Sequence, residues 1–376
     1  MPRSRLRILV AGRLASGRQG GAAWAVLQWL LGLRSLGHDV LFLEHAAGSK
    51  GWRPQARYLR EVTTRFGLAE HTGLFLPGGG IVGASTRPEL LTEAATCDLL
   101  VDMSGVLSGH EMTAGIPVRL YVDLDPGFTQ LWHRTGVDMG LQGHTHFATV
   151  GQQIGQAGHA IPDCGFEWIH VLPPVFLDAW PVLPRRRSGR FTTVANWRSY
   201  GSITHEGVFH GQKAHSFRAF ADLPSLTDTP LAVALAISPE ERADLERLRA
   251  GGWQVLDAAR VASSPGSYQR FVQRSAGEIG IAKSGYVVGR TGWFSDRSAA
   301  YLASGRPVVA QDTGLEPFLP TDAGLLVFDD LPGAAERLDH VRRDYARHAL
   351  AARRIAEEHL DARRVLGTLL RTLGMA

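Results

Sequence analysis

Cysteine is nearly absent from this chain of 376 residues, which carries only Cys97 and Cys164. Two thiols build neither a disulfide framework nor a cysteine zinc site, so a reducing, cytoplasmic setting is expected. Lysine is almost as scarce: Lys50, Lys213 and Lys283 stand against thirty-seven arginines. The planar arginine fork suits a phosphate-bearing partner, although genome composition produces the same bias. Basic and acidic side chains nearly balance, at a formal net charge of +4, and no basic block is long enough to require nucleic acid. A long apolar run is also missing. Residues 22–33 are the most apolar stretch, yet they fall short of the ~20 residues that span a bilayer and include Gln28. No integral membrane segment is therefore expected, and peripheral membrane contact is left open. The early arginines run into Ile8-Leu9-Val10-Ala11-Gly12, a strand and turn rather than a signal peptide.

What is present is enough apolar surface for two cores, with 44% hydrophobic residues in a length that suits two domains of ~150 residues. Residues 6–11 read as a strand buried in a parallel sheet, 22–36 as an apolar helix stopped by Gly37, and 38–43 as a second strand. Helices over 54–66 and 88–96 alternate with strands over 98–102, 118–122 and 146–150, giving one doubly wound sheet. Pro173, Pro174, Pro181 and Pro184, followed by Arg185-Arg186-Arg187-Ser188-Gly189, mark a domain boundary. The alternation then restarts, with strands over 191–195, 231–236, 253–256, 278–282, 307–311 and 325–328. Between them come helices over 214–221, 239–250, 268–275 and 295–304, and a helical tail runs over 334–373. The expected fold class is α/β, with two tandem Rossmann-like doubly wound domains. Residues 1–182 form the first domain, 183–345 the second, and 346–376 a helical tail returning to the first.

Several motifs carry chemistry. Gly12-x4-Gly17 begins like a phosphate-binding loop, but Arg18-Gln19 stand where a lysine and a hydroxyl are needed, which excludes a nucleoside triphosphatase. Gly20 and Gly21 still bring bare backbone to a helix N-terminus, where an anion is favoured. Gly78-Gly79-Gly80-Ile81-Val82-Gly83 spells a dinucleotide fingerprint without a strand leading into it, which argues against a nicotinamide oxidoreductase. Ser295 is the expected cap of a helix whose first turn holds Asp296, Arg297 and Ser298, a place suited to a diphosphate, with Asp296 available to ribose hydroxyls. Arg198 follows a strand, and Lys213 precedes a helix where a compact ammonium suits a phosphate oxygen.

Asp102, Asp123 and Asp125 stand at strand ends that face the ligand crevice of such sheets, where a carboxylate can orient or deprotonate an acceptor hydroxyl. Asp123-Leu124-Asp125 also spells the metal motif of another transferase fold, one with a single sheet domain that leaves the second half unexplained. His144 and His146, and His205, His210 and His215, have no third ligand at a familiar metal spacing. Tryptophans 24, 29, 132, 168 and 180 suit either an aglycone pocket or the core.

The residues Arg198, Lys213, Ala303-Ser304-Gly305-Arg306-Pro307-Val308-Val309-Ala310 and Gly324-Leu325-Leu326-Val327 resemble those of GT-B glycosyltransferases. The Gly20-Gly21 loop and Gly37-His38-Asp39-Val40 are similar to that family's acceptor domain. The nearest resemblance is to the broad retaining group that uses nucleoside-diphosphate sugars. It implies an acceptor domain followed by a donor domain, and a UDP-type sugar as co-substrate with no resident cofactor and no metal. The acceptor would be a small molecule or glycan. It also implies donor contacts from Arg198, Lys213, Ser295, Asp296, Arg297, Ser298, Gly20 and Gly21, with Asp123 or Asp125 catalytic. Two departures stand out. The group's paired glutamates fall on Gly292 and Ala300, and its frequent histidine falls on Asp123. A nucleotide-sugar epimerase and a non-catalytic sugar-nucleotide binder remain the alternatives.

Overall fold

The alternation of apolar runs resolves into two parallel sheets in a computed structural model, which describes residues 5–48, 51–83, 85–184 and 189–375. The Arg185–Ser188 part of the expected linker, and Lys50, lie outside the described residues. The first sheet comprises β1 (Arg7–Ala11), β2 (Asp39–His45), β3 (Thr72–Phe75), β4 (Ile81–Gly83), β5 (Leu99–Met103), β6 (Val118–Asp123), β7 (His146–Thr149) and β8 (Trp168–His170). Their spatial order is β4-β3-β2-β1-β5-β6-β7-β8, parallel throughout except for the β3–β4 hairpin. That hairpin is where the glycine-rich run at 78–83 belongs. Its glycines make a turn and an edge strand, not a nucleotide loop.

The second sheet contains β9 (Phe191–Asn196), then a separate small hairpin of β10 (Ile203–His205) and β11 (Val208–His210). It continues with β12 (Leu231–Ala236), β13 (Gln254–Asp257), β14 (Gly277–Gly280), β15 (Val308–Gln311) and β16 (Leu325–Phe328). The order β13-β12-β9-β14-β15-β16 is parallel throughout.

Burial explains the strand sequences. In β1, Ile8 and Val10 enter the core shared with helix Gly20–Ser35, while Leu9 and Ala11 enter the core on the opposite face with Leu41, Leu43 and Leu100. A strand covered on both faces reads as a continuous apolar run rather than an alternation, as β1 does. In each sheet the first strand sits inside the order, β1 between β2 and β5 and β9 between β12 and β14. The connections leave such a strand in opposite directions, and this opens a crevice at its carboxyl end.

The tail is not one helix. Helix Tyr345–Ile355 passes through a π-helical turn at Ala356–Leu360 and breaks at Asp361, whose carboxylate caps helix Ala362–Thr372 by accepting from the Arg363 amide at 3.0 Å. The tail nevertheless returns to the first sheet's domain as expected. The Val175 amide donates to the Leu360 carbonyl at 2.7 Å, and the Ala362 amide to the Val175 carbonyl at 2.9 Å. Gly32 makes the close packing possible, because a Cβ there would lie 2.6 Å from Leu366 Cδ1 and 2.8 Å from Ala362 Cβ. Leu360 and Leu366 are fully buried, worth about 2 kcal/mol each in apolar transfer.

Candidate active site in the interdomain cleft

The loop after β1 is shaped by a carboxylate that sequence reasoning passed over. Glu44, at the end of β2, is fully buried and accepts from the backbone amides of Leu14 at 3.0 Å, Ala15 at 2.8 Å and Ser16 at 2.7 Å. Gln55 Nε2 adds a fourth bond at 3.1 Å. Burial pushes the Glu44 carboxyl up, against the pull of these donors. The loop then delivers Arg18, held in the left-handed region at φ 44°, to the wall of the cleft. Arg18 stands where a phosphate-binding loop would carry lysine.

Gly20 opens the next helix, and its amide donates to the Ala262 carbonyl at 2.7 Å across the two domains. A side chain at Gly20 would collide with the Ser264 carbonyl and lie 2.7 Å from Tyr268 Cβ. Gly20 therefore serves domain apposition, and its N–H is already taken. Gly21 does line the cleft, beside Tyr268.

From the second sheet, Asn196 and Ala236 reach the cleft at the carboxyl ends of β9 and β12. Asn196 and Gln19 exchange a pair of amide contacts at 3.4 Å across the cleft. Lys213 begins helix Lys213–Ala219, is 9% exposed, and donates from Nζ to the Ile281 carbonyl at 2.5 Å. Burial, reinforced by the nearby Arg297 guanidinium, holds the Lys213 ammonium well below the usual lysine range.

Ser295 caps helix Asp296–Ala303 as its sequence suggests, accepting from the Arg297 amide at 3.2 Å. Arg297 pairs with the fully buried Glu278 and donates to the Val194 carbonyl at 3.0 Å. Burial works against the guanidinium charge, but the Glu278 carboxylate outweighs it and raises the pKa. Asp296 opens onto the cleft, where the surrounding protein still pushes its carboxyl up.

These groups enclose a cleft of about 790 Å³ between the carboxyl ends of the two sheets, within the usual range for small-molecule sites. Arg18, Lys213, Lys283 and Arg297 line it, against Glu61 and Asp296. Arg297 is matched by Glu278 and Lys283 by Asp125, while no acidic side chain pairs with Lys213 or Arg18 among the described residues. The cleft thus presents cationic groups and first-turn amides suited to an anion.

No family model and no curated protein matches this chain. Solved structures do. An Anabaena protein, HepE, in complex with UDP and glucose superposes with a TM-score of 0.63 at 12% identity, over 99% of this chain and 100% of its own. An alpha-glucosyltransferase in complex with UDP gives 0.63 at 12% identity, over 98% and 100%. A glycosyltransferase from Rickettsia africae gives 0.58 at 12%, over 98% of each. The chain has the GT-B fold.

Set on that fold, the sequence-derived site divides. Lys213, Ser295, Asp296, Arg297 and Gly21 converge on the cleft. Ser298 is buried behind the cleft wall. Arg198 is not among the cleft-lining residues, although Asn196 and Ser199 beside it are; its Nε bonds Glu241 at 2.5 Å in the acidic turn at Pro239–Glu241. Asp123 is likewise closed to substrate. It is fully buried, and its oxygens accept from the Asp125 amide at 2.9 Å, Thr129 Oγ1 at 2.6 Å, Gln130 Nε2 at 2.9 Å and Thr149 Oγ1 at 2.9 Å.

Asp125 sits at the junction with the second sheet, where it accepts from Lys283 Nζ at 2.9 Å and from the hydroxyls of Tyr200 and Tyr286. Burial and the Asp125 carboxylate push the Tyr286 phenol up, so it stays a donor. Asp102 is buried and bonded to His144 at 3.2 Å, while His215 accepts from the Gln212 amide at 2.9 Å. Trp24, Trp29, Trp168 and Trp180 are core residues, and Trp293 lines the cleft instead. Lys283, Tyr286, Tyr268 and Asn196 were the site residues that sequence reasoning missed.

Proposed function

We propose that this chain transfers a hexose-type sugar from a nucleoside-diphosphate sugar, of the UDP class bound by its structural neighbours, to an acceptor hydroxyl. One observation carries the reading: Lys213 is buried at the cleft wall with its charge disfavoured, and the nearby Glu278 and Asp296 carboxylates form no ion pair with it. An incoming diphosphate would supply the missing counter-charge. In this reading Lys213, Arg297 and the first-turn amides of helix Asp296–Ala303 hold the diphosphate, with Arg18 approaching from the first domain. These cations stabilise the charge that develops on the departing diphosphate, and no step is assigned to a metal.

The chemistry is a single displacement. The acceptor oxygen bonds to the anomeric carbon as the bond to the diphosphate oxygen breaks, and that electron pair leaves with the nucleotide. The hydroxyl proton passes to Asp125, once Lys283 has turned from it toward the diphosphate. Closure of the two domains excludes water that would otherwise hydrolyse the donor. A thermal-shift screen of nucleotide sugars, followed by donor hydrolysis with and without EDTA, tests this. Stabilisation by UDP-sugars with chelator-insensitive turnover is expected, and the absence of any nucleotide-sugar effect overturns the reading.

A second reading has its own support. The places of the paired glutamates hold Gly292, where a Cβ would lie 2.9 Å from the Gln153 amide, and the buried Ala300. Gly292 has no room for a side chain, and neither place carries a carboxylate. A non-catalytic sugar-nucleotide binder would bind the donor yet show neither transfer nor hydrolysis, and an epimerase would change the sugar with no acceptor present.

A further inference from the structure

We infer that the second domain carries a separate site for a small molecule with two or more phosphate charges, away from the donor cleft. A concavity of about 460 Å³ lies toward the amino ends of β9, β12 and β13, under helix Pro265–Arg274. Arg190, Arg260, Arg270 and Arg274 line it, and no acidic side chain does. Each of the four is exposed, and none has an ion pair or side-chain hydrogen bond to another described residue.

Other described arginines, among them Arg13, Arg18 and Arg57, also have no ion pair; what sets these four apart is that they face one hollow. Arg5, Arg87, Arg198, Arg218, Arg242, Arg290, Arg297, Arg353 and Arg363 all reach carboxylates. Those arginines are neutralised within the protein, whereas here four guanidinium groups face one hollow that no acidic side chain of the described residues lines. Their mutual repulsion is relieved by an anion rather than by the protein. At the floor, Thr192 Oγ1 and Ser275 Oγ bond each other at 2.6 Å, and also Tyr301 and the Phe271 carbonyl, so the floor is closed by satisfied hydroxyls and the guanidinium groups carry the recognition. Guanidinium forks match phosphate oxygens in pairs, so several around one small hollow select a diphosphate or polyphosphate ester over a monoanion. A free metabolite and a phospholipid headgroup share this chemistry.

Calorimetry with inorganic pyrophosphate tests the site in a full-length chain carrying Lys213→Met, which removes one of the donor-cleft cations. Binding that persists through Arg18, Lys283 or Arg297 and ignores the pocket substitutions counts against the site. The outcome is then independent of whether the chain transfers sugar. Arg270→Glu with Arg274→Glu is expected to weaken binding at least about tenfold. Arg347→Glu with Arg354→Glu, an exposed pair on the tail that changes net charge equally, is expected to leave binding nearly unchanged. Sedimentation with phosphatidylcholine vesicles, with and without phosphatidic acid, forms the second arm. Binding in either arm that only the pocket pair abolishes supports the site, and the arm that responds identifies the source. Equal loss in both pairs, or no binding to pyrophosphate or acidic vesicles, overturns it.

Discussion

Lys283 Nζ lies 3.0 and 2.9 Å from the two carboxylate oxygens of Asp125, joining the exit of β14 to the end of β6 across the domain junction. The pair is sheltered, with side chains 14% and 26% exposed, and the ammonium also lies 4.4 Å from the centre of the Tyr200 ring. Lys283 also lines the cleft, so the pair can open when a stronger anion arrives, because a diphosphate competes for the same ammonium. Asp125→Asn is therefore expected to cut turnover by about 10²-fold or more, the usual scale of general-base catalysis, while donor affinity holds or tightens because Lys283 is released to the diphosphate. Initial rates set beside calorimetric donor titrations separate the two, and full turnover in the variant would remove Asp125 as the base.

Lys213 gives a pH-dependent signature. Its native value lies below the usual 10.5, so between the two values the unfolded chain holds a proton that the native chain lacks. Stability contributed by this group consequently rises with pH through that window. Diphosphate binding reverses the trend locally, because the anion favours the ammonium. Above the free-state pKa, donor binding should take up a proton, visible as a buffer-dependent calorimetric enthalpy. Lys213→Ala should abolish the uptake and weaken nucleoside-diphosphate binding by about 1–3 kcal/mol. Unchanged affinity would sink the donor-site assignment.

Asp123 is expected to matter for folding rather than for chemistry. Its two oxygens accept from four donors inside the sheet end. Asp123→Asn turns one acceptor oxygen into an amide that faces a donor, a mismatch worth about 1–3 kcal/mol. Denaturant unfolding should report that loss, with turnover per folded molecule preserved. A normal unfolding midpoint together with collapsed turnover would return Asp123 to the reacting groups.

The contrast between Asp123 and Asp125 shows what the sequence makes legible. Apolar runs such as 8–11 and 231–235 specify buried parallel strands by themselves, and Ser295 specifies its helix cap, because both signals are local. Edge strands such as β4 and β8 are three residues each and lie below any periodic signal. Side-chain direction is not local either. Asp123 and Asp125 share one strand end, yet Thr129, Gln130 and Thr149 enclose the first, while Lys283 from the other sheet meets the second. Arg198 was lost to Glu241, forty-three residues away, for the same reason. Lys283 stands alone in its loop, and only the packing of the two sheets supplies its partner.

Gly20 tests whether the closed apposition of the domains governs donor binding. Its missing side chain lets helix Gly20–Ser35 touch the 264–268 segment of the second domain, where an added methyl would meet the Ser264 carbonyl and Tyr268 Cβ. Backbone cannot yield as a flexible side chain can, so Gly20→Ala must separate the two surfaces, at about 1–3 kcal/mol for an overpacked contact. Gly367→Ala is the matched control, a helix position away from the cleft whose methyl would meet only Arg371 Nη1 at 3.7 Å. If closure assembles the donor site, Gly20→Ala should weaken nucleotide-sugar binding by about tenfold or more while Gly367→Ala changes it little, with both chains folded by circular dichroism. Equal affinity in the two variants would mean that donor binding does not require this contact, and the second domain alone would hold the nucleotide.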